Sequence, residues 1–185
     1  GTDAWTLCGY ASAIRLLNAV KRHDEAKRVE QTYANYLSTF RRLIASSGPG
    51  PLPSAWGVPA RAWGNYAVGY PCRVISPMDS ALKMTMELAW RGSMVPGLVR
   101  LGTSDTVHTY LAADLANTAL LADRPTESWR TLEALAKWQN GCGGIPELFA
   151  YRSRSFGHNY PPHATAAAAV VSLIRNMVIY DDDDT

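Results

Sequence analysis

The sequence has 185 residues, 47% hydrophobic and 18% charged, with a net charge of +2. This is the composition of an ordinary globular domain large enough to bury a core, and its evenly spread charges give no electrostatic case for a nucleic acid or a membrane surface as partner. No apolar run approaches the roughly 20 residues that a membrane-crossing helix needs, and Cys8, Cys72 and Cys142 form neither an even disulfide framework nor a zinc spacing, so free thiols and no metal or other cofactor are expected.

Apolar residues at helical spacing predict helices through most of the chain. The first covers residues 4–22, capped by Thr2 or Asp3, with Trp5, Cys8, Ser12, Leu16, Ala19 and Val20 on one side. His23 is a corner and Asp24 a cap for a second helix over 25–46, whose stripe is Ala26, Val29, Tyr33, Leu37, Phe40 and Ile44. The run Gly48-Pro49-Gly50-Pro51-Leu52-Pro53 breaks the pattern. A short helical piece over 59–68 follows. Then come a helix over 77–91, opening at Pro77 and carrying Leu82, Met86, Ala89 and Trp90, and one capped by Ser104 or Asp105 that runs to 121. Pro125 opens the next helix, on which Trp129 and Trp138 read as packing residues, and Pro162 opens the last, over 162–178. Asp79 and Asp105 read as N-caps, and Asp181 to Asp184 as a solvated exit. No strand run of convincing length appears, although Val74-Ile75 could be briefly extended, so the fold class is all-α, built from antiparallel helical hairpins.

Seven helices result, with joints that alternate in length. Those after the first, third and fifth are short, and those over 47–57, 92–103 and 140–161 are long. Alternate joints of an antiparallel array lie on opposite rims, so every long joint falls on one rim, where function is expected. The N-termini of the odd helices face that rim. A site there would meet Asp3, Trp5, Trp56, His108, Glu147, His158 and His163, and this mix of carboxylates, imidazoles and flat aromatics suits a sugar.

Several segments carry a resemblance: His108-Thr109-Tyr110-Leu111, the Gly143-Gly144-Ile145-Pro146-Glu147 loop, Pro162-His163-Ala164 with its Ala-rich helix and Ile174-Arg175-Asn176-Met177, and Trp63-Gly64-Asn65-Tyr66 with Tyr70-Pro71. Together they resemble members of the six-hairpin glycosidase superfamily. The resemblance implies an (α/α)6 toroid of which residues 1–185 form the C-terminal part, about half, as a single barrel domain. The chain opens on Gly1-Thr2-Asp3 with a helix already under way, so the rest of its own barrel, about five helices, is expected upstream. It also implies a glycoside hydrolase acting on an oligo- or polysaccharide, slightly favouring a periplasmic or secreted setting. In glucoamylase-like members the catalytic base sits in the loop before the last inner helix, where this chain has Glu147. Their acid lies in an Asp-x-Trp-Glu pattern. Here the matching residues are Asp3-Ala4-Trp5-Thr6, so a threonine stands at the acid's position and Asp3 becomes the candidate acid.

The expected reaction is acid/base hydrolysis of a glycosidic bond by Glu147 and Asp3, with Trp5, Trp56, His108, Tyr110, His158 and His163 against the substrate. Two other readings stand beside it. The first hairpin (Trp5, Leu7, Gly9-Tyr10, Ala26) has some tetratricopeptide character, which would suit a non-catalytic helical-repeat interaction module. His158-Asn159-Tyr160 resembles the His/Asn/Tyr sets of toroidal polysaccharide lyases.

Overall fold

The computed structural model describes residues 1–58, 64–92, 97–100, 105–156 and 159–180. Its helices are α1 (Thr2–Ala19), α2 (His23–Ser46), α3 (Ser80–Arg91), α4 (Thr109–Leu121), α5 (Pro125–Ala136) and α6 (Ala164–Val178), with a 3₁₀ turn at Asn65–Val68 between α2 and α3. The fold is therefore predominantly α-helical and built of helical hairpins. The 3₁₀ turn is the observed part of the helix expected over 59–68, and 59–63 lie outside the described residues, as do 181–185.

Three short strands stand where none was expected. They are β1 (Thr106–His108), β2 (Leu148–Ala150) and β3 (Ser155–Phe156), paired antiparallel in the order β1-β2-β3, with Thr106 opposite Ala150 and Phe149 opposite Phe156. At two or three residues each, they are too short to show a period of two. Val74 and Ile75 are not among them; both N–H groups instead bond back to the Val68 carbonyl, at 2.7 and 3.2 Å.

Several expected caps are corrected. Thr2, Asp3 and Asp24 lie inside their helices, and no side chain caps α1 or α2. Asp105 caps nothing. Its carboxylate and carbonyl accept the N–H groups of Arg152 and Tyr151, at 3.3 and 3.0 Å, which pins the β2–β3 hairpin to the start of β1. The helix expected from residue 104 therefore starts only at Thr109, after β1. Pro77 and Pro162 precede α3 and α6 without entering them. Asp79 does cap α3, accepting the N–H groups of Ala81 and Leu82 at 2.8 and 3.3 Å, and Pro125 occupies the first turn of α5.

The central element is α4. Its buried residues, Thr109, Ala112, Ala113, Leu115, Ala116, Asn117, Thr118 and Ala119, surround the helix, and their small side chains let α5, α6 and the 3₁₀ turn approach closely. Hydroxyls and amides tie these contacts. Ser128 Oγ donates to the Ala116 carbonyl at 2.7 Å, and Asn176 Nδ2 on α6 donates to Asn117 Oδ1 at 2.8 Å. At Gly69 a Cβ would sit 2.7 Å from a Leu82 methyl and 2.8 Å from the Thr118 methyl, so a larger residue would have to push these buried side chains of α3 and α4 aside.

α1 packs mainly on α2 and the 3₁₀ turn. Its buried residues are Ala4 and Leu7, whereas Trp5, Leu16 and Val20 from the expected inward stripe are 54%, 64% and 55% exposed. The stripe was real as a pattern, but the face that meets the 3₁₀ turn is the one through Ala4 and Leu7. Trp129, expected to pack, is likewise exposed. α2 and α3 bury the faces their spacing predicts.

Candidate active site

Glu147 lies just before β2. Thr109, the first residue of α4, holds this stretch through its backbone: its N–H donates to the Glu147 carbonyl at 3.0 Å, and its Oγ1 lies 2.5 Å from the Pro146 carbonyl and 2.9 Å from that of Glu147. Across the loop, His163 N–H donates to the Ile145 carbonyl at 2.9 Å. The long 140–161 joint is thereby fastened to the N-terminal ends of both α4 and α6, and the Glu147 side chain is placed between them.

Around its carboxylate, His108 Nε2 is 3.9 Å from Oε1 and His163 Nε2 is 3.9 Å from Oε2, and Asn159 Nδ2 donates to Oε2. Glu147 and His108 are largely buried, at 17% and 7% side-chain exposure. Tyr110 closes the group, edge-on to His108 at 4.1 Å between ring centres and stacked on His163 at 6.4 Å. The two histidines are the extended residues that precede α4 and α6, and His163 Nδ1 also accepts the Ala166 N–H at 3.3 Å as a helix cap.

Electrostatics separate the members of this group. Burial, with a smaller contribution from His163, lowers the His108 pKa to about 4 against the opposing pull of Glu147. His108 is therefore a neutral imidazole near pH 7, and its approach to Glu147 is not an ion pair there. Burial, Glu147 and Asp114 raise the Tyr110 pKa, so the phenol stays protonated. Asp114, one helical turn further along α4, is pushed up to about 7 by burial.

Asp3 and Trp56 form a second group. Tyr36 Oη donates to Asp3 Oδ1 at 2.5 Å and Trp56 Nε1 to Oδ2 at 3.1 Å, so both carboxylate oxygens are engaged. The Trp56 ring packs edge-on to Phe40 at 5.7 Å. A small pocket lined by Asp3, Phe40, Pro53, Trp56, Asn65 and Val68 lies beside them. Thr6, at the acid's position in the resemblance, donates its hydroxyl to the Thr2 carbonyl within α1.

The structure thus gathers Glu147, His108, Tyr110 and His163 into one cluster and Asp3 and Trp56 into another, both at N-terminal helix ends served by long joints. Trp5 is exposed on α1, on a different face of the helix from Asp3, and His158 lies outside the described residues. Asn159, Asp114 and Tyr36 were not foreseen as members of this site. Asn159 stood only in the lyase set, whose Tyr160 is 74% exposed and whose amide is committed to Glu147. Asp114 does show as a lone acid in the apolar run Leu111–Leu115, and Tyr36 only as part of an amphipathic helix. Among the described residues no three His, Cys, Asp or Glu converge as a metal site. The large open groove of 1220 Å³ lies elsewhere, against the C-terminal ends of α2, α4 and α6, and holds none of these residues.

No protein-family model and no curated protein matches the sequence. Solved structures do. A glutamate-to-alanine variant of a glycosidase in complex with glucose matches at a TM-score of 0.80 and 18% identity, over 96% of this chain and 51% of that one. A tyrosine-to-phenylalanine glycosidase variant matches at 0.75 and 19%, over 90% and 48%. A wild-type glycosidase matches at 0.66 and 18%, over 83% and 44%. The fold is glycosidase-like. At these identities the likeness is one of fold, and the chain spans about half the length of the structures it matches.

Proposed function

We propose that this chain carries the general-base part of a glycoside hydrolase active site, within an (α/α)6 toroid of the six-hairpin kind, and that Glu147 is the base. The observation that carries the reading is the seat of Glu147, a mostly buried carboxylate flanked at 3.9 Å by two imidazoles at the N-terminal ends of α4 and α6. Those gaps are too long for direct hydrogen bonds and suit a water bridging carboxylate and ring. Glu147 takes the proton of such a water as its oxygen attacks the anomeric carbon. A neutral His108 can orient that water without neutralising the base.

The partner acid must protonate the leaving oxygen from the other side, about 6.5–9.5 Å away for inversion. Asp3 is the proposed acid, held by Tyr36 and Trp56. Trp5, Trp56 and the Tyr110–His163 pair offer flat faces for a sugar ring, and His158 is kept as a further hydroxyl contact. The exposed apolar residues Leu16 on α1 and Val20 just after it, and Val171, Ile174 and Val178 on α6, are the faces on which the remaining helices of the barrel would pack. The substrate class is a carbohydrate, and the glucose bound by one structural neighbour makes glucosides the first compounds to assay.

The test is sugar release by the protein that contains this chain. Glu147→Gln, with helical circular dichroism unchanged, should lower kcat about 10²–10⁴-fold, the usual contribution of a positioned base. Undiminished release would overturn the assignment.

A further inference from the structure

The two oxygens of Glu147 are not equivalent. Oε2 accepts a hydrogen bond from Asn159 Nδ2 and lies 3.9 Å from His163 Nε2, whereas Oε1 lies 3.9 Å from His108 Nε2. Among the described residues, the only hydrogen bond donated to this carboxylate is the one that goes to Oε2.

His163 is fixed at three points. Its N–H donates to the Ile145 carbonyl at 2.9 Å, its Nδ1 accepts the Ala166 N–H at 3.3 Å, and its ring stacks on Tyr110 with 6.4 Å between centres. A backbone N–H can only donate, so Nδ1 must offer a lone pair and the ring proton sits on Nε2. The helix cap of α6 therefore sets the tautomer and turns an N–H donor towards Oε2, across a gap that one water spans.

We propose that Asn159 and His163 are positioning residues that hold Glu147 by Oε2, which leaves Oε1 as the oxygen that takes the proton. This rests on the reading of Glu147 as the base. Anchoring one oxygen stops the carboxylate from turning about its Cγ–Cδ bond, and engages lone pairs that would otherwise compete for the proton. The attacking water then stands between Oε1 and His108 Nε2. Its oxygen bonds to the anomeric carbon and one of its protons passes to Oε1. The glycosidic bond breaks as the acid's proton goes to the departing oxygen.

The test has spectroscopic and kinetic arms, both on the whole protein that contains this chain. Nitrogen NMR of labelled imidazoles, with the His163 signals assigned by their loss in His163→Gln, should show the ring proton on Nε2. In Glu147→Gln the side-chain carbonyl should take the Oε2 seat, facing the two donors, and the NH2 group the Oε1 seat, with NOE contacts to the His108 ring. Asn159→Ala and the isosteric Asn159→Asp, with helical circular dichroism unchanged, should lower kcat about 10–100-fold, the loss expected for a hydrogen bond to a charged group, while KM moves less than about twofold. A His163 proton on Nδ1, or NH2 contacts to His163 in place of His108, would overturn the proposal. So would undiminished turnover by both Asn159 variants in a protein that Glu147→Gln inactivates. Failure of the base reading looks different: sugar release then survives Glu147→Gln, while the NMR signatures of the anchored oxygen need no activity and remain.

Discussion

His108 Nε2 and Glu147 Oε1 stand 3.9 Å apart, with the imidazole neutral at neutral pH because burial outweighs the pull of the carboxylate. The burial of this imidazole makes stability depend on pH. The folded His108 pKa of about 4 lies below its unfolded value of 6.5, so the unfolded chain binds more protons between them and stability is lost as pH falls from 6.5 to 4. Asp114 works the other way. Its folded pKa of about 7 lies above 3.8, so the stability it contributes is full at low pH and is lost as pH rises towards 7. The two slopes oppose each other between pH 4 and 6.5. Asp114→Asn should therefore expose the His108 slope, with urea-unfolding stability rising by about 1–3 kcal/mol from pH 4 to 6.5. His108→Asn should expose the Asp114 slope, with stability falling over the same range. Equal pH profiles for both variants would contradict the opposed shifts.

Asp3 accepts from Tyr36 at 2.5 Å, and this bond is the first cause of the raised Tyr36 pKa, with burial second. Asp3→Asn should bring the Tyr36 phenol back towards the ordinary value of 10. Titration of ring-labelled tyrosine by carbon NMR, assigned with Tyr36→Phe, reads this directly. An unmoved Tyr36 signal would mean that the carboxylate does not govern the phenol.

Much of the helical framework was legible because helices write a period of 3.6 into long segments. The α2 stripe from Ala26 to Phe40 and the α3 stripe of Leu82, Met86 and Ala89 point inward as their spacing requires. The three strands were not legible, since they are only two or three residues long and β1 finds its partner some forty residues away, as with Val107 and Phe149. Helix starts misled for a related reason. Asp105 has the chemistry of a cap, but the N–H groups of Tyr151 and Arg152 claim it first. In the candidate site, Glu147 and His163 could be named from their loop and helix start, whereas Asn159 at Glu147 and Tyr36 at Asp3 depend on tertiary contacts that no local pattern carries.

Asp79 accepts two N–H groups at the start of α3. Asp79→Ala leaves both to water and should cost about 1 kcal/mol, within the 0.5–2 range for lost caps. Asp79→Ser should recover most of it. Chemical denaturation midpoints compared at constant m-value measure the difference, and an Ala variant as stable as the parent would show that the cap contributes nothing.

The contact between α4 and α6 contains a buried polar pair, with Asn176 Nδ2 donating to Asn117 Oδ1 at 2.8 Å while Asn117 Nδ2 donates to the Ala113 carbonyl at 3.0 Å. Asn117 is 1% and Asn176 6% exposed, so water does not readily replace either partner. Asn176→Ala leaves the Asn117 oxygen without its donor and opens a small void, and should destabilise by about 1–3 kcal/mol. Replacing both by leucine removes the unsatisfied oxygen, but the added volume must fit against the alanine-rich surface of α4. A double-mutant cycle should then show a coupling of about 0.5–3 kcal/mol between the positions, as contacting groups do. Because this pair joins the helices whose N-terminal ends hold His108 and His163, Asn176→Ala should also broaden the NMR signals of both imidazoles. Unchanged imidazole signals in a destabilised variant would show that the geometry around Glu147 is set by the 140–161 loop alone.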